Sequence, residues 1–232
     1  SGLNLTIETL DGLLKHNGPI KDLSLVKGLI GLKNLNNKIK FNQSASLEAQ
    51  ISAISDDIAY NNHDIQDGIR ANMFSLNELI EIDFFKDIYN SHKKYIRKNN
   101  REILIYQVIR DSIDLMVKDL IKNTIKNLKI NKFKSIDDIY KSKIPIVCFS
   151  DKYSIIEKEI KFFLRIKMYN NKKVLTKNNK GKKIIRDLFS SIKKKPNKFL
   201  TKEEINKDKY RAIADFISGM TDRFAIKLHK NI

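Results

Sequence analysis

Glycine and proline are scarce, at 8 and 3 in 232 residues. A chain of many short strands needs frequent turns, and these are the residues that make them. The shortage therefore argues against an all-β fold and for helices. A single cysteine, Cys148, excludes an intramolecular disulfide and any CxxC metal or redox pair. Its setting, PIVCF, reads as buried and inert. No secretory hydrophobic region and no run of 18 apolar residues occurs, so a soluble, cytoplasmic protein without membrane attachment is expected. A Gly-rich phosphate loop and a Ser or Cys catalytic triad signature are missing as well. Acidic residues are the minority: 27 Asp and Glu stand against 45 Lys and Arg, a formal charge of +18. That balance favours anionic partners, although a Lys-, Asn- and Ile-rich composition drawn from an AT-rich genome produces the same excess on a solvated surface. The basic clusters at 93–101, 177–183 and 193–198 have few aromatic neighbours, so they offer no stacking platform for nucleic acid.

What is present is enough apolar surface for a core, 41% of residues, with 12 Phe and 8 Tyr, which speaks against disorder. Apolar periodicity near 3.6 predicts a first helix over about 6–16, capped by Asn4 or Thr6 and stopped by Gly18-Pro19. Residues 20–42 read as a loop or broken helix. A stronger helix starts at Ser44 or Ser46 and runs to about His63, with Leu47, Ile51, Ile54 and Ile58 as its core stripe. Gly68 marks a break before a short helix over 75–82, for which Ser75 and Glu78 form a capping box. Residues 101–130 give the longest helical pattern. Further helices are expected over 151–170, 182–193 (ended by Pro196) and 203–229. With no alternation of period two, the fold class is all-α.

The most informative absence is local. From Phe41 to Ile69 there is no Lys or Arg in 29 residues, where the average composition would place about five or six. The same stretch holds Glu48, Asp56, Asp57, Asp64 and Asp67. At 100° per residue, Asp56 points away from the core stripe, with Tyr60 and Asp64 one and two turns further along that side and the small Ala49 and Ala53 before it. A helix apolar on one side and small, acidic and aromatic on the other suits a wall between core and cleft; an ordinary exposed acidic face is the alternative.

Three blocks carry a family resemblance. SLEAQISAISDDIAYNNHDIQDGIRANMFSLNEL (46–79) resembles the A-D-[DE]-I-A-Y-x-x-H-D segment of bacterial dGTPase-like proteins of the HD superfamily, with Ser55 where the family usually has Ala. YRAIADFISGMTDRFAIKLH (210–229) is similar to that family's D-[FY]-I-x-G-M-T-D-R-[FY]-A block, and LNLTIETLDGLLKHNG (3–18) to the helix between its HD motifs. The blocks fall in the family's order; between about 80 and 200 the match is one of helical character only.

The resemblance implies the C-terminal portion of an HD-domain helical fold over 1–88, followed by an HD-associated helical domain over 89–232. It implies hydrolysis of a dNTP to a deoxynucleoside and inorganic triphosphate by metal-activated water, with a divalent ion (Mn, Mg or similar) held by His, His-Asp and Asp. Asp56 matches the last of these ligands; the upstream His and His-Asp are absent from this chain. It is therefore expected to be truncated and inactive or weakly active alone, with a missing N-terminal polypeptide as a partner and a homo-oligomer as a further expectation. Tyr60 and Asp64 match groups that contact the deoxyribose, the carboxylate accepting a hydrogen bond from the 3′-hydroxyl. Asp57 is a weaker candidate behind Asp56. His63 forms a chance HD dipeptide with Asp64 and reads by default as a surface or hydrogen-bonding residue. His16 reads as a helix cap or as a residue near the phosphates, and Arg211 as a phosphate contact or half of an Asp–Arg brace. Gly219, inside the last expected helix, suggests close approach of another backbone. The rival is a non-catalytic module binding nucleotide or single-stranded nucleic acid.

Overall fold

The computed structural model describes residues 3–22, 24, 39–93 and 100–232. Among these there are helices and connecting turns but no strand. The chain divides into two compact units, 1–168 and 169–232. The family division expected at 88/89 lies within the helix Asp83–Lys93.

The first unit contains α1 (Ile7–Leu14), α2 (Leu47–Arg70), α3 (Leu76–Leu79), α4 (Asp83–Lys93), α5 (Arg101–Asn131), α6 (Ile136–Lys141) and α7 (Asp151–Leu164). Helix α5 is the spine, with α2 and α4 along it, while α1 and α7 pack on α2. Ile65, Leu79, Phe85, Val108, Met116, Ile160 and Leu164 are sealed in the core between them, each removing roughly 1.5–3 kcal/mol worth of apolar surface from water. Side-chain caps start the helices where the sequence calls for them. Thr6 Oγ1 accepts from Thr9 N and Ser46 Oγ from Ala49 N, while Ser75 and Glu78 close a capping box.

The irregular stretch before α7 satisfies its backbone with side chains, as a partly buried loop must. Gln50 Oε1 accepts from Ile146 N (3.0 Å) and Val147 N (3.2 Å). Asn123 and Asn127 donate to the carbonyls of Cys148 and Ile146, both at 2.9 Å. Cys148 is only half-buried, and both asparagines also reach its sulfur, so the fully buried setting expected for it is corrected.

Helix α2 differs from its expected form. It runs seven residues past His63, to Arg70, and Gly68 lies inside its last turn. A Cβ there would sit 2.2 Å from the Phe74 ring, so this glycine makes room for an aromatic; it does not end the helix. Of the expected stripe, Ile58 is buried and Leu47 and Ile54 half-buried, but Ile51 is exposed.

The second unit holds α8 (Lys172–Lys194), a 3-10 turn (Pro196–Lys198), α9 (Lys202–Ser218) and α10 (Asp222–His229). Its core is Ile184, Leu188, Ile192, Leu200, Ile213, Ile217 and Ala225. The His229 ring lies 2.8 Å from Asp187 and ties α10 to α8. Helix α8 begins ten residues before the expected 182, and a π turn (Arg165–Tyr169) takes the place of the last turn expected for 151–170. The single final helix expected over 203–229 is broken twice, by a kink at the extended Asp208 (φ −163°, ψ 98°) and again at Gly219. Gly219 ends α9 and Thr221 caps α10, accepting from Phe224 N. A Cβ on Gly219 would meet only its own helix's carbonyls, at 3.5 and 3.7 Å, so no close approach explains that glycine. The loop expected over 20–42 lies largely outside the described residues. Among the described residues no helix is long and apolar enough to cross a membrane.

Candidate functional site

The corner between α1 and α2 is built on small residues. Gly12 faces Ala49 so closely that a Cβ on the glycine would lie 3.0 Å from the alanine's. Beneath this seam, Lys15 is buried, pairing with Asp11 at 2.6 Å and donating to the Ser44 carbonyl at 3.3 Å. Its ammonium also lies 5.5 Å from the Tyr140 ring centre. A buried ion pair with these extra partners fixes the end of α1, and the residue that follows it is His16.

His16 Nε2 comes within 3.9 Å of Asp56 Oδ2. The Asp56 side chain is 70% exposed and that of His16 44%, so both are open to a ligand. His16 lines two adjoining cavities. One, about 390 Å³, lies between α1 and α2 and is bordered by Glu8, Ser46, Ala49 and Ser52. The other, about 850 Å³, is bordered by Lys21, Gln50, Ala53, Asp57, Tyr140 and Lys143. The small residues on the Asp56 face of α2 thus border space, and lysines stand across it.

The remaining expected residues separate. Tyr60 is exposed on α2 and Asp64 half-buried one turn on. His63 is exposed. Asp57 is bound to Lys161 of α7 at 3.1 Å, and Lys161 also pairs with Glu157. Burial works against the Lys161 charge, but hydrogen bonds to Glu157 and Asp57 outweigh it and hold its pKa above the ordinary lysine value. Asp57 therefore clamps α2 to α7. Arg211 lies in the second unit, where its Nε donates to both carboxylate oxygens of Asp215, at 2.9 and 3.0 Å.

Several residues at this corner escaped sequence reasoning. Lys15 and Asp11 carry an i, i+4 signal that looks like any surface pair. Lys161 meets Asp57 across 104 residues, which no local pattern announces. Asn61 and Asn62, buried behind Tyr60, were visible only as two amides on what became the core side of α2.

Among the described residues no group of three or more His, Cys, Asp or Glu is arranged to hold a metal. Asp56 with His16 supplies two donors, and Asp57 is committed to Lys161. These residues do not amount to the four-ligand site that the motif implies.

Residues 147–231 match the family model of a phosphohydrolase-associated domain. Over the whole chain the sequence is 72% identical to a deoxyguanosinetriphosphate triphosphohydrolase-like protein of Pelagibacter ubique, of which it covers 62%. It is 38% identical to a protein of the same description from Bartonella quintana, covering 60%, and 35% to one from Rickettsia prowazekii, covering 62%. The chain thus spans about 60% of the length of the curated relatives it matches.

Proposed function

We propose that this chain, which resembles the deoxyguanosinetriphosphate triphosphohydrolase-like proteins along its whole length, forms part of a metal-dependent enzyme releasing inorganic triphosphate from a dNTP. Asp56 supplies one ligand for a divalent ion, Mn or Mg, and the other ligands come from residues outside these 232. Tyr60 and Asp64 face the deoxyribose, with Asp64 accepting from the 3′-hydroxyl. The first 88 residues complete an HD domain, and the remainder forms its associated helical region.

The observation that carries this reading is the open corner at Asp56. An exposed carboxylate stands 3.9 Å from His16, a histidine that borders two cavities, and Tyr60 and Asp64 continue from Asp56 along the same side over about 12 Å of helix. A row of carboxylates repels a triphosphate unless a cation stands between them, which is the arrangement a metal-dependent site supplies. Alone, the chain has too few donors for tight metal binding and is inactive or nearly so. A homo-oligomer is part of the same reading, with the exposed Ile121 and Ile125 on α5 as an apolar face for it. The setting proposed is the cytoplasm.

The test is triphosphate release from each of the four dNTPs in Mn²⁺, by this chain alone and joined to the additional region that its relatives carry. Activity is expected only in the joined protein and is abolished by Asp56→Ala. Activity of the joined protein that survives Asp56→Ala overturns the assignment. The rival, a non-catalytic nucleotide-binding module, predicts dNTP binding without release in both forms.

A further inference from the structure

Helix α8 carries nine cations and one acid, Asp187, and that acid is taken by His229 at 2.8 Å. The buried residues of the helix, Ile184, Leu188 and Ile192, all lie in its second half. From Lys172 to Lys183 every residue but Val174 is exposed. Three turns of helix, about 18 Å, therefore stand without an apolar anchor and carry Lys172, Lys173, Lys177, Lys180, Lys182 and Lys183. Among the described residues none of these ammonium groups has an ion-pair partner.

On its own charges this half-helix is unfavourable. Its first turn holds no acid, so two lysines sit at the positive end of the helix dipole. Like charges face each other at i, i+4 (Lys173 and Lys177, Lys182 and Arg186) and at i, i+3 (Lys177 and Lys180, Lys180 and Lys183), spacings at which they repel. A polyanion laid along the helix reverses both effects. It places negative charge at the N-terminal turns and between the lysines, and it releases the counterions each had condensed.

We infer that the N-terminal half of α8 is a docking surface for the sugar–phosphate backbone of nucleic acid, read by charge and without base recognition. The spread of cations along about 18 Å suits the successive phosphates of a strand better than the clustered charge of one nucleotide. A membrane surface fits less well. An interfacial helix needs a broad apolar face, and Leu175 is the one exposed large apolar side chain between 172 and 183. No aromatic side chain lies in this segment, so bases have nothing to stack on. This surface lies in the second unit and stands independently of the role given to Asp56.

The experiment is fluorescence anisotropy of a labelled 30-nucleotide single strand with the 232-residue chain, between 50 and 200 mM salt. Log K is expected to fall linearly with log salt. A Lys177→Gln/Lys180→Gln/Lys183→Gln variant, which relieves repulsion and so keeps its helix, is expected to bind at least about tenfold more weakly. Its salt slope should be smaller by about 2, three phosphate contacts at about 0.7 each. Amides of 172–183 are expected to exchange more slowly when DNA is bound. Failure to bind the strand overturns the inference, as does binding that the triple variant leaves unchanged. Binding to phosphatidylserine vesicles with none to DNA overturns it in favour of a membrane.

Discussion

His16 Nε2 stands 3.9 Å from Asp56 Oδ2, held there by a seam of small residues, Gly12 one turn before the histidine and Ala49 two turns before the aspartate. The geometry of the corner is thus set by what fits between two helix backbones as much as by the two side chains themselves.

Gly12→Val tests that seam. A branched side chain has no room at 3.0 Å from Ala49 Cβ, so α1 must lift from α2. Overpacking of this kind costs about 1–3 kcal/mol, to be read by urea denaturation, and α1 amides should exchange faster. An unchanged midpoint and unchanged α1 exchange would show that the seam does not position His16.

The buried pair beneath it gives a second prediction. The Lys15 and Asp11 side chains are 1% and 9% exposed. Lys15→Met leaves a buried carboxylate unpaired and should destabilise by about 3–5 kcal/mol, while Lys15→Met with Asp11→Leu should recover most of that loss. Equal stabilities of the single and double variants would contradict the pairing.

Gly68→Ala separates propensity from packing. In an exposed helix interior the change would stabilise by about 1 kcal/mol. Here the new methyl meets Phe74 at 2.2 Å, and Phe74 is wedged edge-on against Phe163 with ring centres 4.9 Å apart. Net destabilisation of about 1–3 kcal/mol is expected, measured by thermal unfolding. A raised Tm would mean the ring moves aside freely.

Acid should weaken the first unit through Glu78. Its hydrogen bond from Lys167, helped by the Ser75 amide and hydroxyl, lowers its pKa from 4.5 to about 2. A depressed folded-state pKa stabilises fully above the unfolded value and is lost as pH falls through the folded one. The contribution therefore disappears between about pH 4.5 and pH 2. Both partners are 36% exposed, so the effect is screened. Tm followed across this range should fall more steeply for the wild type than for Glu78→Gln; parallel curves would remove Glu78 from the account.

The all-α class was legible because a 3.6-residue apolar rhythm runs through most helices, and Ser75 with Glu78 marked α3 outright. Rhythm failed where no core is present to impose it. The exposed first half of α8 has no stripe, and KNNKGKK looks like a turn. Rhythm also misled where it persisted across a break: Phe216, Met220 and Phe224 keep helical spacing over the Gly219–Thr221 junction, although Thr221 and Asp222 already spelled a helix start. At the corner, the motif singles out Asp56, with Tyr60 and Asp64 at turn spacing behind it, as residues of the proposed site. Its neighbour His16, 40 residues away in sequence, and the Asp57–Lys161 clamp depend on how helices pack, which spacing along one helix does not encode.

Counting tightly bound Mn²⁺ by electron paramagnetic resonance tests the proposal that these 232 residues contribute Asp56 to a metal site they do not complete. No stoichiometric site is expected on the chain alone, and one site when the relatives' additional region is joined to it, lost again in Asp56→Ala. One tightly bound Mn²⁺ per 232-residue chain would contradict it.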